Sequence, residues 1–108
     1  MTPAWLRPLA ESDLIERTHY YAAEAGVDVA NRFFDAAIVA LHAVERMPGT
    51  GSPRVGELCD IAGLRMRRIE CFPCGWFYLV RTDHLDVVRL LADAQDLTAI
   101  LEALDGEQ

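Results

Sequence analysis

The chain contains no lysine: all ten of its basic residues are arginines, set against seventeen acids for a net charge of −7. That balance argues against non-specific affinity for nucleic acid, which needs a cationic face to neutralise phosphates. No apolar run reaches the roughly 18 residues needed to cross a bilayer, so no membrane span is expected. The opening Met1-Thr2-Pro3-Ala4-Trp5 lacks the basic start and apolar core of a secretory signal, and the expectation is a soluble cytoplasmic protein. Cysteine is scarce and odd in number, at Cys59, Cys71 and Cys74; without an export signal, reduced thiols are expected rather than a disulfide framework.

Apolar residues make up 52% of the 108, too many for a disordered chain and enough for one domain, residues 1–108, with one modest core. The charge is unevenly placed. Residues 53–92 hold six arginines against five acids (+1), and the remainder holds four against twelve (−8), which together give −7. The middle of the chain can therefore carry a locally basic face on an acidic body.

Ala4-Trp5-Leu6-Arg7-Pro8-Leu9 reads as a short strand, with its proline at an edge or strand end. A helix is predicted over residues 10–25, where Leu14, Thr18, Tyr21, Ala22 and Ala25 share a face and Gly26 ends it. Asp28 is placed to cap a second helix running to about Met47, with Ala30, Phe33, Ala37, Leu41 and Val44 at three- and four-residue spacing and Phe34 and Ile38 widening the stripe. So short a connection packs the two helices as an antiparallel hairpin. Residues 48–57 carry the turn residues of a loop, the most plausible mobile segment. From Gly63 the pattern changes to strands: Leu64–Phe72, Trp76–Arg81 and Leu85–Leu91, joined by Pro73-Cys74-Gly75 and Thr82-Asp83-His84, turns short enough only for antiparallel neighbours. A slip of alternation near Arg67-Arg68 marks a bulge or two-sided burial. A short helix over residues 97–104, capped by Asp96, closes the chain. The fold class is α+β: an N-terminal strand, an antiparallel helix hairpin, a three-stranded antiparallel meander and a short C-terminal helix.

Asp13-Leu14 followed by Tyr20-Tyr21-Ala22, Pro48-Gly49 through Gly56, Gly63-Leu64-Arg65-Met66-Arg67, Phe72-Pro73 before Phe77-Tyr78-Leu79-Val80, and Val87-Val88-Arg89-Leu90-Leu91 before Gln95-Asp96-Leu97 occur in this order. Across residues 4–101 the set resembles the ParE-type toxins of the RelE/ParE superfamily, the growth-inhibiting halves of type II toxin–antitoxin pairs. Three features depart from that pattern. Ala92-Asp93-Ala94-Gln95-Asp96 stands where many members carry His-Gly-Arg-Arg-Asp, Cys74 replaces the tyrosine of Phe-Pro-Tyr, and the chain is acidic.

The resemblance implies a toxin that binds and poisons DNA gyrase, neutralised by a cognate antitoxin, with no catalytic residue, cofactor or metal and no sequence-specific nucleic-acid binding of its own. A homodimer and a hetero-oligomer with the antitoxin both stay open. On this reading Arg65, Arg67, Arg68, Trp76 and Arg89 are the candidate target contacts, of the residue types that dominate interface energetics. The plainer reading has these arginines solvating the sheet and pairing with Glu70, Asp83 and Asp86. An apolar groove involving Trp5, Leu6, Phe34 and Leu41 is the candidate antitoxin site, against simple core packing. The alternatives are a ribosome-dependent mRNA endonuclease of the RelE kind and an inactive relative. Cleaving RNA needs groups that move protons and steady charge, yet the chain has no lysine and no tyrosine after Tyr78.

Cys71-Phe72-Pro73-Cys74 invites a redox reading, but it spans a strand end and turn instead of opening a helix. Zinc would need a fourth ligand beyond the three cysteines, with His84 the nearby candidate, and only one paired motif exists. His19 and His42 fall on helices without an acid at a useful spacing.

Overall fold

The computed structural model describes residues 1–92 together with Ala99, Ile100, Glu102 and Leu104. The elements are β1 (Ala4–Leu6), α1 (Pro8–Ala25), α2 (Val27–Arg46), a 3₁₀ turn (Pro48–Thr50), α3 (Arg54–Leu58), β2 (Leu64–Arg68), β3 (Cys74–Val80) and β4 (Leu85–Ala92).

Pro8 opens α1 and does not belong to the strand, correcting the expected start at residue 10. A first-turn N–H has no helical partner, so a residue lacking one costs nothing there, and its fixed φ suits the helix. Gly26 ends α1 and begins α2 at once, at φ 96° and ψ 164°, a backbone region essentially reserved for glycine. Asp28 is therefore not the cap; it lies in the first turn of α2, where its charge favours the helix dipole. The apolar stripe of α2 is the expected one: Ala30, Phe33, Ala37, Ala40, Leu41 and Val44 are all buried.

The sheet order is β1-β4-β3-β2. The meander is antiparallel throughout, while β1 pairs in parallel with β4 through Ala4↔Leu85 and Leu6↔Val87. β2 ends at Arg68, short of Phe72, because Cys71 takes a left-handed φ of 71° and the Ile69 and Phe72 N–H groups close a turn instead of a ladder. Cys74 consequently starts β3. The register of β2 on β3 is unbroken, so no bulge lies at Arg67-Arg68. The irregularity is between β3 and β4, where Phe77↔Arg89 and Tyr78↔Val87 leave Val88 as the extra residue.

Both faces of the sheet are covered. Trp76, Tyr78, Leu85, Val87 and Leu90 pack with α1 and α2 residues such as Leu14, Phe33 and Ala37. Leu64, Phe77, Leu79, Val88 and Leu91 form a second cluster with Ile100, against which Val55, Ile61 and Leu104 pack. That explains the unbroken apolar run Cys74–Leu79 in β3, a strand buried on two sides. Of the expected C-terminal helix, Ala99, Ile100, Glu102 and Leu104 are helical, while the Asp96 cap, like all of residues 93–98, lies outside the described residues.

The Pro/Gly segment is tied down and contains α3, which its composition hid. The Tyr78 hydroxyl donates to the Pro48 carbonyl (2.7 Å) and accepts from the Gly51 N–H (3.0 Å), while Ser52 pairs with Met66. Position 51 requires glycine, since a Cβ there would sit 2.4 Å from the Tyr78 hydroxyl. Burial raises the Tyr78 pKa above the ordinary tyrosine value. A raised folded pKa means full stabilisation below about pH 10 and loss as pH rises through the folded value. Tyr78→Phe is expected to cost about 1–3 kcal/mol at pH 7 by leaving the buried Gly51 N–H unpaired. The same variant should lose less stability between pH 9 and 11 than the parent chain, as read by urea denaturation.

Candidate interaction surface

The expected target contacts do not form one patch. Arg65 and Arg67 pair in register with Tyr78 and Trp76, whose side chains face the helices, whereas Arg68 pairs with Gly75 and alternates to the other face. The Arg65 guanidinium donates to the Gly51 carbonyl at 2.7 Å and the Gly49 carbonyl at 3.3 Å, so it braces the Pro/Gly segment. Trp76 is a correction: it is 0% exposed, and its indole N–H donates to the Ala37 carbonyl at 2.9 Å. A residue on the helix-facing side of a central strand is core, whatever its chemistry.

Arg89 is held by Asp13 of α1. Asp13 Oδ2 accepts from Arg89 Nε (2.7 Å) and the Leu90 N–H (3.0 Å), and Oδ1 accepts from the second guanidinium nitrogen (3.0 Å). β1 accompanies β4 only as far as Val87. Beyond that point the Asp13 carboxylate substitutes for a neighbouring strand. The pairing expected for these arginines with Glu70, Asp83 and Asp86 is replaced in this case by a partner 76 residues away.

The expected antitoxin set also divides. Leu41 is a second correction, buried in the core on the inner stripe of α2. Leu6 is half-buried and packs against the same core, while Phe34 is exposed on α2. Trp5 is 55% exposed and stacks on the His84 ring at 4.1 Å between centroids. Trp5 and Leu6 line a cleft of about 390 Å³ with Arg7, Pro8, Arg81, His84, Asp86 and Leu104; neither Phe34 nor Leu41 reaches it.

Asp86 organises this cleft. Arg7 grips both of its oxygens at 2.9 Å, and Arg81 donates to Oδ2 at 2.9 Å from Nη2 and 3.3 Å from Nε. The Arg7 hydrogen bonds first, then those of Arg81, hold the Asp86 carboxyl below its usual pKa against the opposing effect of burial. A depressed folded pKa contributes stability that is present above the unfolded value of about 4 and lost as pH falls through the folded one. Asp86→Asn should therefore flatten the acid limb of the stability profile below about pH 4, a change visible in urea titrations. At the mouth, His84 Nδ1 meets the Asp83 carboxylate at 2.8 Å, and this hydrogen bond lowers the pKa of Asp83.

Sequence reasoning missed Arg7, Arg81, His84 and Asp86 as a group. The Arg81–Asp86 spacing across a hairpin turn is a usable local signal, but nothing local links Arg7 to Asp86. A second cleft of about 420 Å³ lies between α2 and the β2–β3 turn, lined by Val29, Arg32, Ala36, Glu70, Cys71 and Phe72. Cys71 there is exposed and Cys74 buried, with the pair straddling a turn. Among the described residues no group of three His, Cys, Asp or Glu side chains could hold a metal ion, and no helix is long and apolar enough to cross a membrane.

No protein-family profile matches the chain, and no curated protein does. Among solved structures, a chain of the "Chromosomal ParDE TA system from P. aeruginosa" superposes with a TM-score of 0.72 at 17% identity, covering 85% of this chain and 96% of that one. The two share the ParE-like α+β fold over nearly the whole of that chain's length.

Proposed function

We propose that this chain is the toxin of a type II toxin–antitoxin pair, acting by binding and poisoning DNA gyrase and neutralised by a cognate antitoxin. The observation that carries the reading is the match to a chain of a ParDE system, 96% of which is covered. The ordered motifs of the sequence support the same reading from independent ground: Asp13-Leu14 and Val87–Leu91, distant in sequence, meet in the Asp13–Arg89 pair.

Binding is favoured over RNA cleavage by where the cations go. Cleavage needs convergent groups aimed at a reacting phosphate. Here Arg65 is spent on backbone carbonyls, Arg89 on Asp13 and Arg7 on Asp86. Inhibition by surface complementarity requires no such convergence.

Expression from an inducible promoter without a partner is the test. Growth should stop within a few generations and resume when the antitoxin is co-expressed. Continued growth at high expression points to an inactive relative, and mRNA cut during translation points to the endonuclease.

A further inference from the structure

Cys71 and Cys74 flank Phe72-Pro73 and open toward the same layer of the fold. Cys71 is exposed and lines the cleft against α2 with Phe72, Val29 and Ala36. Cys74 is 1% exposed, in the helix-side core with Phe33, against which Phe72 also packs. The chain between the thiols is drawn in. The Cys74 N–H donates to the Phe72 carbonyl at 2.9 Å, a three-residue turn about Pro73, and the Ile69 N–H donates to the Cys74 carbonyl at 2.9 Å. Extended, three residues would span about 10 Å, and the turn shortens that toward the roughly 4.4–6.8 Å between Cα atoms that a disulfide takes.

We propose that this pair is a reversible dithiol–disulfide switch, oxidised by low-molecular-weight disulfides of the glutathione class, whose closure displaces Phe72 and loosens the helix hairpin. Burial fixes the order of events. The Cys71 thiolate attacks one sulfur of the small disulfide and its S–S bond breaks; one half leaves as a thiolate and takes up the proton that Cys71 gave up. Cys74, closed to external reagents, then attacks the Cys71 sulfur, passes its own proton to the second departing thiolate and completes the bridge. Two protein thiols are oxidised, and one small disulfide is reduced to two thiols. No lowered thiol pKa or helix N-terminus is needed, as it would be for a redox catalyst. The Phe72 ring lines the cleft and packs on the core at once, and a bridge between the exposed sulfur and the buried one has to pass it. That ring meets Tyr21 of α1 and Phe33 of α2 at 5.2 Å each, and those two lie 5.0 Å apart. Moving Phe72 therefore opens the contact that joins both helices to the β2–β3 turn. Nothing in this chemistry depends on the toxin reading.

The test incubates the purified full chain with glutathione disulfide, alkylates the remaining thiols and maps the tryptic peptides by mass. Residues 69–81 carry Cys71 and Cys74 in one peptide, and residues 55–65 carry Cys59 in another. The first should be lighter than its reduced form by two hydrogens and hold no glutathione, while Cys59 is alkylated. Cys74→Ala should retain glutathione on Cys71 as a mixed disulfide, and Cys71→Ser should leave Cys74 reduced. If circular dichroism shows that Cys74→Ala does not fold, the parent chain and Cys71→Ser decide the matter alone. The oxidised parent chain should unfold at a lower urea concentration than the reduced one, and Phe72→Leu, which removes the ring contacts, should shrink that shift. Glutathione retained on the parent chain, equal oxidation of Cys59, or no reaction where a free cysteine peptide is oxidised overturns the proposal. So does a urea midpoint that oxidation leaves unchanged or raises, or a shift as large in Phe72→Leu.

Discussion

Replacing Trp76 with alanine is expected to remove a large share of the chain's stability, about 3–5 kcal/mol. The side chain is fully buried between α2 and the sheet, and its indole N–H is bonded to the Ala37 carbonyl. Removing so large a buried ring costs about 3–5 kcal/mol, the lost transfer energy plus that of the cavity left behind. A domain of this size has only about 5–15 kcal/mol in total. Trp76→Phe keeps most of the ring and loses the hydrogen bond, so it should fold at a cost nearer 1–2 kcal/mol. Circular dichroism with urea titration separates the two. Wild-type stability in the alanine variant would mean that Trp76 is not core, and would return it to the set of surface contacts.

Asp13→Ala should be the next most damaging change outside the apolar core. Asp13 and Arg89 retain only 12% and 19% of their side-chain exposure, and the carboxylate also serves the Leu90 N–H. Without it, a mostly buried guanidinium and a strand-edge N–H lose their acceptor together. The cost is about 2–4 kcal/mol, somewhat below that of breaking a fully buried pair because some solvent reaches this one. Removing both charges in Asp13→Ala/Arg89→Met should recover part of the loss, since the cation that lost its carboxylate is then absent. A single variant within about 0.5 kcal/mol of wild type would show that the pair holds β4 against α1 only weakly.

Much of the fold was legible because its signals are local. The stripe from Ala30 to Val44 repeats every three or four residues, so α2 and its buried face could be read directly. The meander could be read from the short turn at Thr82-Asp83-His84 and the runs either side of it. Pro8 was misplaced because proline suits a strand end and a first helical turn equally, and only the chain's direction after Leu6 decides between them. The short helix Arg54–Leu58 hid among Pro and Gly because contact with β2 forms it, not propensity.

The interaction surface was legible only in fragments. Trp5 and Trp76 are the same residue type on two strands of one sheet, and the register of that sheet separates the exposed one from the buried one. The double burial of β3 erased the alternation that would have placed Trp76 inward. The ion pairs Arg7–Asp86 and Arg89–Asp13 join residues more than 70 positions apart, which no window of sequence reveals. Asp13 was recognisable as part of a motif, yet its work at the end of β4 that β1 does not reach became clear only once β1 was seen to stop at Val87.

The most direct measurement of the gyrase-poison reading incubates the purified chain with gyrase from its own host and supercoiled plasmid, then resolves the topoisomers after detergent and protease. Linear plasmid covalently held by gyrase should accumulate in proportion to added protein, and the host's antitoxin should abolish it. Unaltered supercoiling at a large molar excess of the chain would contradict gyrase poisoning.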